Sequence, residues 1–498
     1  MDGFRLLDAT RRAPALTADD DAASQETLPW VLLERNAYVV KRDNATTARC
    51  KTTHGRGVQV TFYARRPPCV SYLCVYSPDG EIPLEPEVLA MEDDLVLLRI
   101  CVCPPDEVLK NLDYFVYQAD DGLGRPSLKL LPRPPTDFYF DNTNIGLLRC
   151  STTQHPRLDD QSGIFVRPHG HSDTGYVVVG FKHAQPEDQD EFAMGNFDLC
   201  LYNSKLGDDW TTCIVKLNQQ QKQQYGKKFR HRNSKVMSIG GEAGTLAFVD
   251  LFRGILFCDV LPPQGAIPPL RYVSLPVVAT SRRELDADPC LARDIVLEGS
   301  VIKFLELEVL KKNSKIFKGY CVNDGWRAAT YTRAATSSPK DTWRKEHEVD
   351  SNHIDYSNNP YVELLPKVLN DEDMLLPPFK RLDICQPTLG LHDDVMYLFI
   401  KVRRTDKVAL VVTLDMKGKA IQGVTRFSAE RYMCITLAFM HSRISNYLKR
   451  GPGYKGDLKR PGIVLPWSSN KPWSSNKKHP GLEGGSTVAE DEDSMILD

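Results

Sequence analysis

Short runs of strand-forming residues, each ended by turn residues, fill this sequence from Trp30 to Phe427. GVQVTFYAR, CVSYLCVYS, GYVVVGFKH and DVMYLFIKV are examples, and Gly, Pro, Asn and Asp cluster between such runs. Runs of this length and composition indicate β-strands, and no helical pattern separates one run from the next. The pattern therefore predicts an antiparallel all-β fold and argues against parallel strands joined by helical crossovers.

The number of runs indicates a repeated architecture. Roughly 22 to 25 candidate strands, at four per blade, fill about six blades of a β-propeller. The chain of 498 residues also exceeds the usual size of one compact core. Residues 200–217 and 329–349 share one plan, in which a strand and a polar turn precede a tryptophan that opens the next strand. We expect Trp210 and Trp343 to fill gaps between sheets; the alternative is an exposed aromatic on a binding face.

The two ends of the chain differ in composition from its body. We expect residues 1–27, which are polar and without periodicity, to form a flexible leader, and residues 28–448 to form the β-propeller-like domain. Residues 449–480 carry eight Lys or Arg and one acid, whereas the last sixteen residues carry six acids and no base. Such segregated charge predicts a disordered tail over 449–498. We interpret its tandem PWSSNK repeats as a duplication of low-complexity sequence; the alternative is a peptide motif that docks to a partner.

One short helix is predicted at the end of the folded region. Ser428 stands where an N-cap would, and Glu430 lies in the first turn. Tyr432, Ile435, Phe439 and Ile444 then recur at near-helical spacing up to Leu448. We expect this C-terminal helix to pack on the body of the domain.

Charge and cysteine content limit the partners and the compartment. The 63 Lys and Arg and 65 Asp and Glu leave a net charge of −2, which argues against a chain-wide polyanion binder. The 13 cysteines form no CxxC pair, so we expect buried free thiols, with Cys101 and Cys103 on one strand face, and no zinc site. No signal peptide or membrane helix is visible. The sequence predicts a protein of the cytoplasm, the nucleus or both, without a membrane partner.

Motifs that carry catalysis are missing from the sequence. It contains no GxSxG, HExxH or P-loop motif, and no GxGxxG follows a strand. The glycine-rich run 238–244 lacks the lysine and helix of a phosphate loop, so we interpret it as a hairpin turn. We therefore predict no catalytic, cofactor-binding or metal-binding residue and no cofactor.

Two histidine-containing runs keep an alternative open. His169 and His171, followed by Asp173, could offer ligands to a metal ion. The run from His392 to Asp394 could orient a histidine or bind a cation. Both runs lie between predicted strands, where Asp and Gly favour turns, so we prefer turns at both places.

The segment 222–235, KQQYGKKFRHRNSK, is the strongest candidate for an interaction site. It contains two aromatic residues and no acid. We prefer a solvated loop between blades; a nuclear import signal and a nucleic-acid-binding segment are the alternatives. Its basic residues are Lys222, Lys227, Lys228, Arg230, Arg232 and Lys235.

Longer motifs between about 244 and 425 resemble a known family. They include GTLAFVDLFRGILFCDVL, LRYVSLP, RDIVLEGSVIKFLELE, ICQPTLGLHDDVMYLFIKV and ALVVTLDMKGKAIQGVTRFSAERY. The chain resembles the grass-expanded plant family called Domain of Unknown Function 1618. Phe252 stands where that family has Trp, and Gly390 where it has Ser. The resemblance implies a fold distantly like F-box-associated β-propellers, without an F-box here and without catalytic residues to carry over.

Within VDLFRGILF, the residues themselves indicate two strands that meet at a tight turn. We expect Arg253 and Gly254 to make the reversal, with the aromatic and aliphatic residues around them facing the core. Arg253 could pair there with Asp250 or Asp259, a structural role.

These observations favour a non-catalytic scaffold that binds other proteins through loops on one face of a propeller. The first alternative is an enzyme whose site at the channel mouth uses loop residues such as His169, His171 and Asp393. The second is a nuclear nucleic-acid-binding protein that uses 222–235 and the basic tail. The partner and the oligomeric state do not follow from the sequence.

Overall fold

Six sheets follow one another along the chain and form the six blades of a β-propeller. The predicted all-β, six-bladed arrangement is therefore confirmed. The computed structural model describes residues 6–16, 28–120, 124–136, 138–150, 157–158, 165–166, 175–184, 195–207, 209–225, 229–261, 267–277, 287–313, 321–336, 342–369, 374–391, 394–432 and 437–448. In these residues, α-helix is confined to α1 (Gln219–Tyr225).

The chain builds blades 1 to 3 first. Blade 1 uses β1 (Val31–Glu34), β2 (Tyr38–Val39), β3 (Ala48–Lys51), β4 (Gly57–Tyr63) and β5 (Val70–Tyr76). Blade 2 uses β6 (Glu87–Glu92), β7 (Leu95–Cys101), β8 (Leu112–Gln118) and β9 (Ser127–Leu130). Blade 3 uses β10 (Ile145–Cys150), β13 (Gly175–His183), β14 (Asn196–Asn203) and β15 (Trp210–Lys216), and carries a hairpin of β11 (Arg157–Leu158) and β12 (Phe165–Val166).

Blades 4 to 6 are regular antiparallel meanders of four strands. Blade 4 uses β16 (Lys235–Gly240), β17 (Thr245–Asp250), β18 (Gly254–Asp259) and β19 (Leu270–Ser274). Blade 5 uses β20 (Arg293–Glu298), β21 (Val301–Asn313), β22 (Cys321–Ala334) and β23 (Arg344–Asp350). Blade 6 uses β24 (Asp383–Leu389), β25 (Val395–Lys401), β26 (Val408–Asp415) and β27 (Ala420–Ser428), and β28 (Phe439–Ser442) follows it.

The last strand closes the ring. Strand β28 pairs with β1 in antiparallel register, from Val31 opposite Ser442 to Glu34 opposite Phe439. Strand β28 thereby becomes the innermost strand of blade 1, whose order is β28-β1-β5-β4-β3. The predicted C-terminal helix is wrong: within residues 437–448, which the structure describes, the chain forms β28 and then the 3₁₀ turn Ile444–Asn446. The free edge of β1 explains the difference, because its unpaired main-chain groups are satisfied by a strand and not by a helix.

A buried ion pair fastens this closure. The Arg431 guanidinium, on the connection between β27 and β28, bonds to the Glu34 carboxylate, and both side chains are 2% exposed. The hydroxyls of Tyr38 and Tyr432 donate to the same carboxylate at 3.2 and 3.1 Å. Arg431 also donates to two main-chain carbonyls after β1 and lies 4.0 Å from the centre of the Tyr38 ring. Burial raises the pKa of Glu34, although Arg431 and the two hydroxyls oppose that rise.

Apolar clusters fill every seam between neighbouring blades. The predicted role of the two tryptophans in these seams is confirmed. The Trp210 indole N–H donates to the Pro132 carbonyl of blade 2 at 3.0 Å, and the Trp343 indole N–H donates to the Ser274 carbonyl of blade 4 at 2.8 Å. Each indole therefore joins the outer edge of its own blade to the blade before it.

The two predicted turns of blade 4 are confirmed as well. Residues 241–244 join β16 to β17, so the glycine-rich run is a hairpin turn. Arg253 lies 3.0 Å from Asp250 at the turn between β17 and β18. A Cβ at Gly254 would collide with the Tyr272 ring and a main-chain carbonyl, so only glycine fits there.

The N-terminal residues 6–16 include a 3₁₀ turn, Asp8–Arg11, in which Thr10 is buried and bonds to Glu85. The tail 449–498 lies outside the described residues. In the part of the chain that is described, no helix is long and apolar enough to cross a membrane.

We expect Arg431→Met to lower the free energy of unfolding by about 3–5 kcal/mol, because it leaves the Glu34 carboxylate buried without its cation. Urea unfolding followed by tryptophan fluorescence measures the change. Arg12→Met is the matched control, since Arg12 pairs with neighbouring Glu430 at an exposed site and should change stability by about 1 kcal/mol or less. Equal stability of the two variants would contradict the proposed role of the buried pair.

Candidate functional site

The six blades surround a central cavity of about 1350 Å³. Its wall is formed by β6, β16, β20, β24 and β28 and by the hairpins that follow them. The cavity is a candidate site because ligand pockets concentrate where several elements converge on a concave space.

One carboxylate in the wall ties three blades together. The Lys235 ammonium of blade 4 lies 2.7 Å from the Asp294 carboxylate of blade 5, and it also donates to the Ile295 carbonyl at 2.8 Å. The other oxygen of Asp294 accepts the Leu389 N–H of blade 6 at 2.9 Å. Both charges are therefore engaged in holding the inner strands in place.

A second cation in the wall is also paired. Arg293 is buried, and its guanidinium lies 2.7 Å from the Glu306 carboxylate within blade 5. It also donates to the Leu251 carbonyl of blade 4 at 3.0 Å. Arg293 thus acts as a structural tie between blades 4 and 5.

Two further basic side chains line the cavity: His441 of β28 and Arg443, the residue directly after that strand. Burial lowers the pKa of His441 well below its ordinary value, and nearby Lys235 and Arg443 lower it further. The imidazole is therefore neutral at pH 7. The Arg443 guanidinium reaches across to the Leu297 carbonyl of blade 5, at 3.4 Å.

The described residues of the predicted basic segment lie in two settings, the connection between β15 and β16 and the cavity wall. Lys222 lies on α1 and donates to Asn196 at 3.2 Å, whereas Lys235 lies in the cavity wall. Arg230 and Arg232 are exposed on the connection between β15 and β16. Lys227 and Lys228 lie outside the described residues.

The histidines that were considered for catalysis lie outside the part of the chain that the structure describes. His169, His171 and Asp173 lie outside the described residues, and so do His392 and Asp393. Asp394 is described, at the start of β25.

Asp394 lies close to two side chains of blade 5, Glu346 and His347. A β-bulge in β23 leaves Glu346 as an extra residue, since His347 pairs with Thr330 and the residue before the bulge pairs with Tyr331. Donor atoms of Glu346, His347 and Asp394 lie within 4.8 Å of one another. His347 Nε2 is 3.3 Å from Asp394 Oδ2. These are ligand types that a divalent cation accepts.

Lys303 makes this cluster a polar seam between blades 5 and 6. Its ammonium lies 3.3 Å from Asp394 Oδ1 and 2.6 Å from the Glu298 carboxylate. Burial alone would raise the pKa of Asp394, but Lys303 and His347 lower it below its ordinary value. A structural zinc site has four protein ligands and a calcium site more, whereas three protein ligands suffice for a catalytic zinc site. Here the Lys303 ammonium already pairs with Asp394, so a cation at this cluster would compete with a charge that the fold supplies.

The cysteine prediction can be checked at one place. The thiols of Cys101 and Cys103 are buried 3.2 Å apart, as predicted for neighbouring thiols, but β7 ends at Cys101, so Cys103 lies beyond the strand. Every cysteine in the described residues is a free thiol, and burial raises the pKa of Cys101. The buried thiols act as apolar core groups, whereas Cys69, Cys213 and Cys321 are exposed, so the prediction of buried thiols holds for only part of the set.

Sequence reasoning missed the residues that shape the cavity. Asp294 and Arg293 open the apolar run RDIVLEG, and two charges at the start of a buried strand were an available signal. His441 and Arg443 lie in the segment that was predicted to be helical, so their position on an inner strand could not be found.

The comparisons with known proteins add little to this geometry. The family described as "Protein of unknown function (DUF1618)" matches residues 248–397. No curated protein matches the chain. Hydrazine synthase from Kuenenia stuttgartiensis is 12% identical, with 76% of this chain and 79% of that chain covered and a TM-score of 0.27.

Two more solved structures are similar at a lower level. The GDP-Man-dependent mannosyltransferase MPT-1 from Leishmania mexicana is 9% identical, with 84% and 97% of the two chains covered and a TM-score of 0.19. An α-L-arabinofuranosidase from Fusarium graminearum is 6% identical, with 81% and 99% covered and a TM-score of 0.18. Scores this low carry no argument for an activity of this chain.

We expect acid to destabilise the protein through His231, which is buried beside the cavity-lining strand β16. Burial lowers its pKa to about 4, from an ordinary value of 6.5, so folding disfavours the imidazolium. Stability is therefore full above pH 6.5 and falls as the pH drops towards 4, by about 3 kcal/mol at most. Urea unfolding at a series of pH values measures this loss.

The contribution of His231 is isolated by two variants. His231→Phe keeps an aromatic ring among Phe197, Phe229 and Tyr272 and should flatten the pH dependence between 6.5 and 4. His353→Gln, at an exposed histidine, should leave the dependence as in the parent. An unchanged slope in His231→Phe would show that other groups cause the acid sensitivity.

Proposed function

We propose that this chain is a non-catalytic protein-interaction scaffold that binds partners through the loops on one face. In each regular blade, the strands are antiparallel neighbours, so their connections leave alternately from two faces. We call the crossover face the one on which the outer strand of a blade connects to the inner strand of the next. Such loops, held by a rigid ring, are where propellers carry recognition.

The observation that carries this proposal is the side-chain composition of the crossover face. Four of the nine large apolar residues that are exposed in the described chain lie on its loops: Tyr139, Met374, Leu375 and Val408. Arg230 and Arg232 are exposed on the same face. Aromatic and aliphatic groups beside arginine are typical of protein interfaces, so we infer a partner surface with apolar and acidic groups.

The two alternatives find less support in the described residues. The channel-mouth enzyme depends on His169, His171 and Asp393, none of which is described. A nucleic-acid site would need several free cations in a row, but Lys222 is hydrogen-bonded to Asn196 and Lys235 is paired with Asp294. The partial family match leaves a plant origin, a kinship with F-box-associated propellers and a cytoplasmic or nuclear location as further parts of the proposal.

Proximity labelling in cells tests the proposal. The double variant Arg230→Glu/Arg232→Glu reverses the charge of the crossover face, so labelling of true partners should fall at least tenfold relative to the parent chain. Lys205→Glu/Lys417→Glu is the matched control, because both lysines are exposed on loops of the opposite face and the change in net charge is equal. The control should label the same partners as the parent.

A third variant in the same experiment distinguishes binding by the folded body from binding by the tail. Deletion of 449–498 should leave partner labelling intact if the crossover face carries the function. Loss of partners only on this deletion would place the function in the tail and refute the proposal. Equal loss in the two double variants would show that net charge, and not the crossover face, controls binding.

A further inference from the structure

Arg443 differs from the other cations of the cavity wall. Lys235 and Arg293 each lie 2.7 Å from a carboxylate, of Asp294 and Glu306 respectively. Among the described residues, no carboxylate lies within ion-pair distance of Arg443. Within the described part of the chain, its Nε is buried without a hydrogen-bond partner, and its Nη2 makes a long hydrogen bond of 3.4 Å to the Leu297 carbonyl. A guanidinium placed in this way can still accept an anion.

Neutral donors line the same cavity. His441 lies on β28, two residues before Arg443, and its Nδ1 is buried without a partner among the described residues. Ser238 of β16 also lines the cavity, and its hydroxyl is buried without a partner there. Buried polar atoms normally find partners. These three atoms have almost no accessible surface, so a ligand in the cavity would pair with them only after their side chains turn towards it.

The acidic side chains of the wall do not neutralise Arg443. Asp294 is engaged by Lys235 and by the Leu389 N–H. Glu92 and Asp93 lie at the hairpin between β6 and β7, and each takes part in another interaction. Of the three cations that line the cavity, Arg443 is therefore the one that no described carboxylate pairs.

We propose that the central cavity binds a small organic anion through a carboxylate or phosphate group held by Arg443, with His441 and Ser238 as neutral donors. Guanidinium binds both oxyanions through paired hydrogen bonds, which explains why arginine and not lysine suits this position. The volume of about 1350 Å³ admits a small molecule together with water. The site lies inside the ring and does not depend on the proposed partner surface.

Isothermal titration calorimetry at low ionic strength, with inorganic phosphate and with citrate as separate probes, tests this site. The parent chain should bind at least one probe saturably, with one site per chain. Binding of phosphate alone assigns a phosphate-bearing ligand, and binding of citrate alone assigns a carboxylate. Absence of saturable binding for both probes would overturn the proposal.

Variants show whether Arg443 holds the anion. Arg443→Gln should weaken binding at least tenfold, and Arg443→Lys should weaken it less, because the charge stays but the paired donors are lost. Arg230→Gln, on the crossover face, should bind like the parent and separates this site from the partner surface. Equal affinity of Arg443→Gln and the parent would refute the assignment.

A measurement on the parent chain covers the case in which Arg443 variants fold poorly. Phenylglyoxal modifies accessible arginines, and peptide mass spectrometry reports the rate at Arg443. The bound probe should slow modification of Arg443 at least threefold and leave the rate at exposed Arg230 unchanged. An unchanged rate at Arg443 under saturating probe would also refute the site.

Discussion

The pairing of β28 with β1 is the contact on which the rest of the structure depends. A ring of blades has no free inner edge only if its first and last segments meet, and here four residue pairs make that junction. The junction also decides the content of the cavity, because β28 is the strand that brings His441 and Arg443 to the wall. The strand pairing that closes the ring therefore also completes the wall of the candidate site.

The Glu34–Arg431 pair is best understood as a device for register. Desolvation of two charges is costly, and well-packed apolar residues in their place are often as stable. A slip of β28 by one residue, however, would turn every side chain to the opposite face and exchange the core side of Phe439 for the side of Met440. Arg431 is fixed by a carboxylate, two carbonyls and an aromatic ring at once, so only one register lets it satisfy all of them.

Local signals were sufficient to predict the blades but not their assembly. The strands, the turn at Arg253 and the seam positions of Trp210 and Trp343 follow from residue types within short windows. The helix prediction for 428–448 was wrong because the spacing of its apolar residues fits a helix or a strand. The strand that decides between them, β1, lies about 400 residues away in sequence. The position of Lys235 was missed for a related reason. It ends a basic run in the sequence, yet the ring of blades places it beside Asp294, 59 residues later.

The family match and the candidate site cover different parts of the molecule. Residues 248–397 include Arg293, Asp294 and Leu389, which join blades 4 to 6, but they exclude β1, β28 and β16. The matched region therefore contains the whole Arg293–Glu306 pair and the Asp294 half of the Lys235–Asp294 pair, but not Lys235, Arg443, His441 or Ser238. Because the unpaired groups lie outside the matched region, the family description alone neither implies nor excludes an anion site. What the cavity binds is decided by the residues that complete the ring.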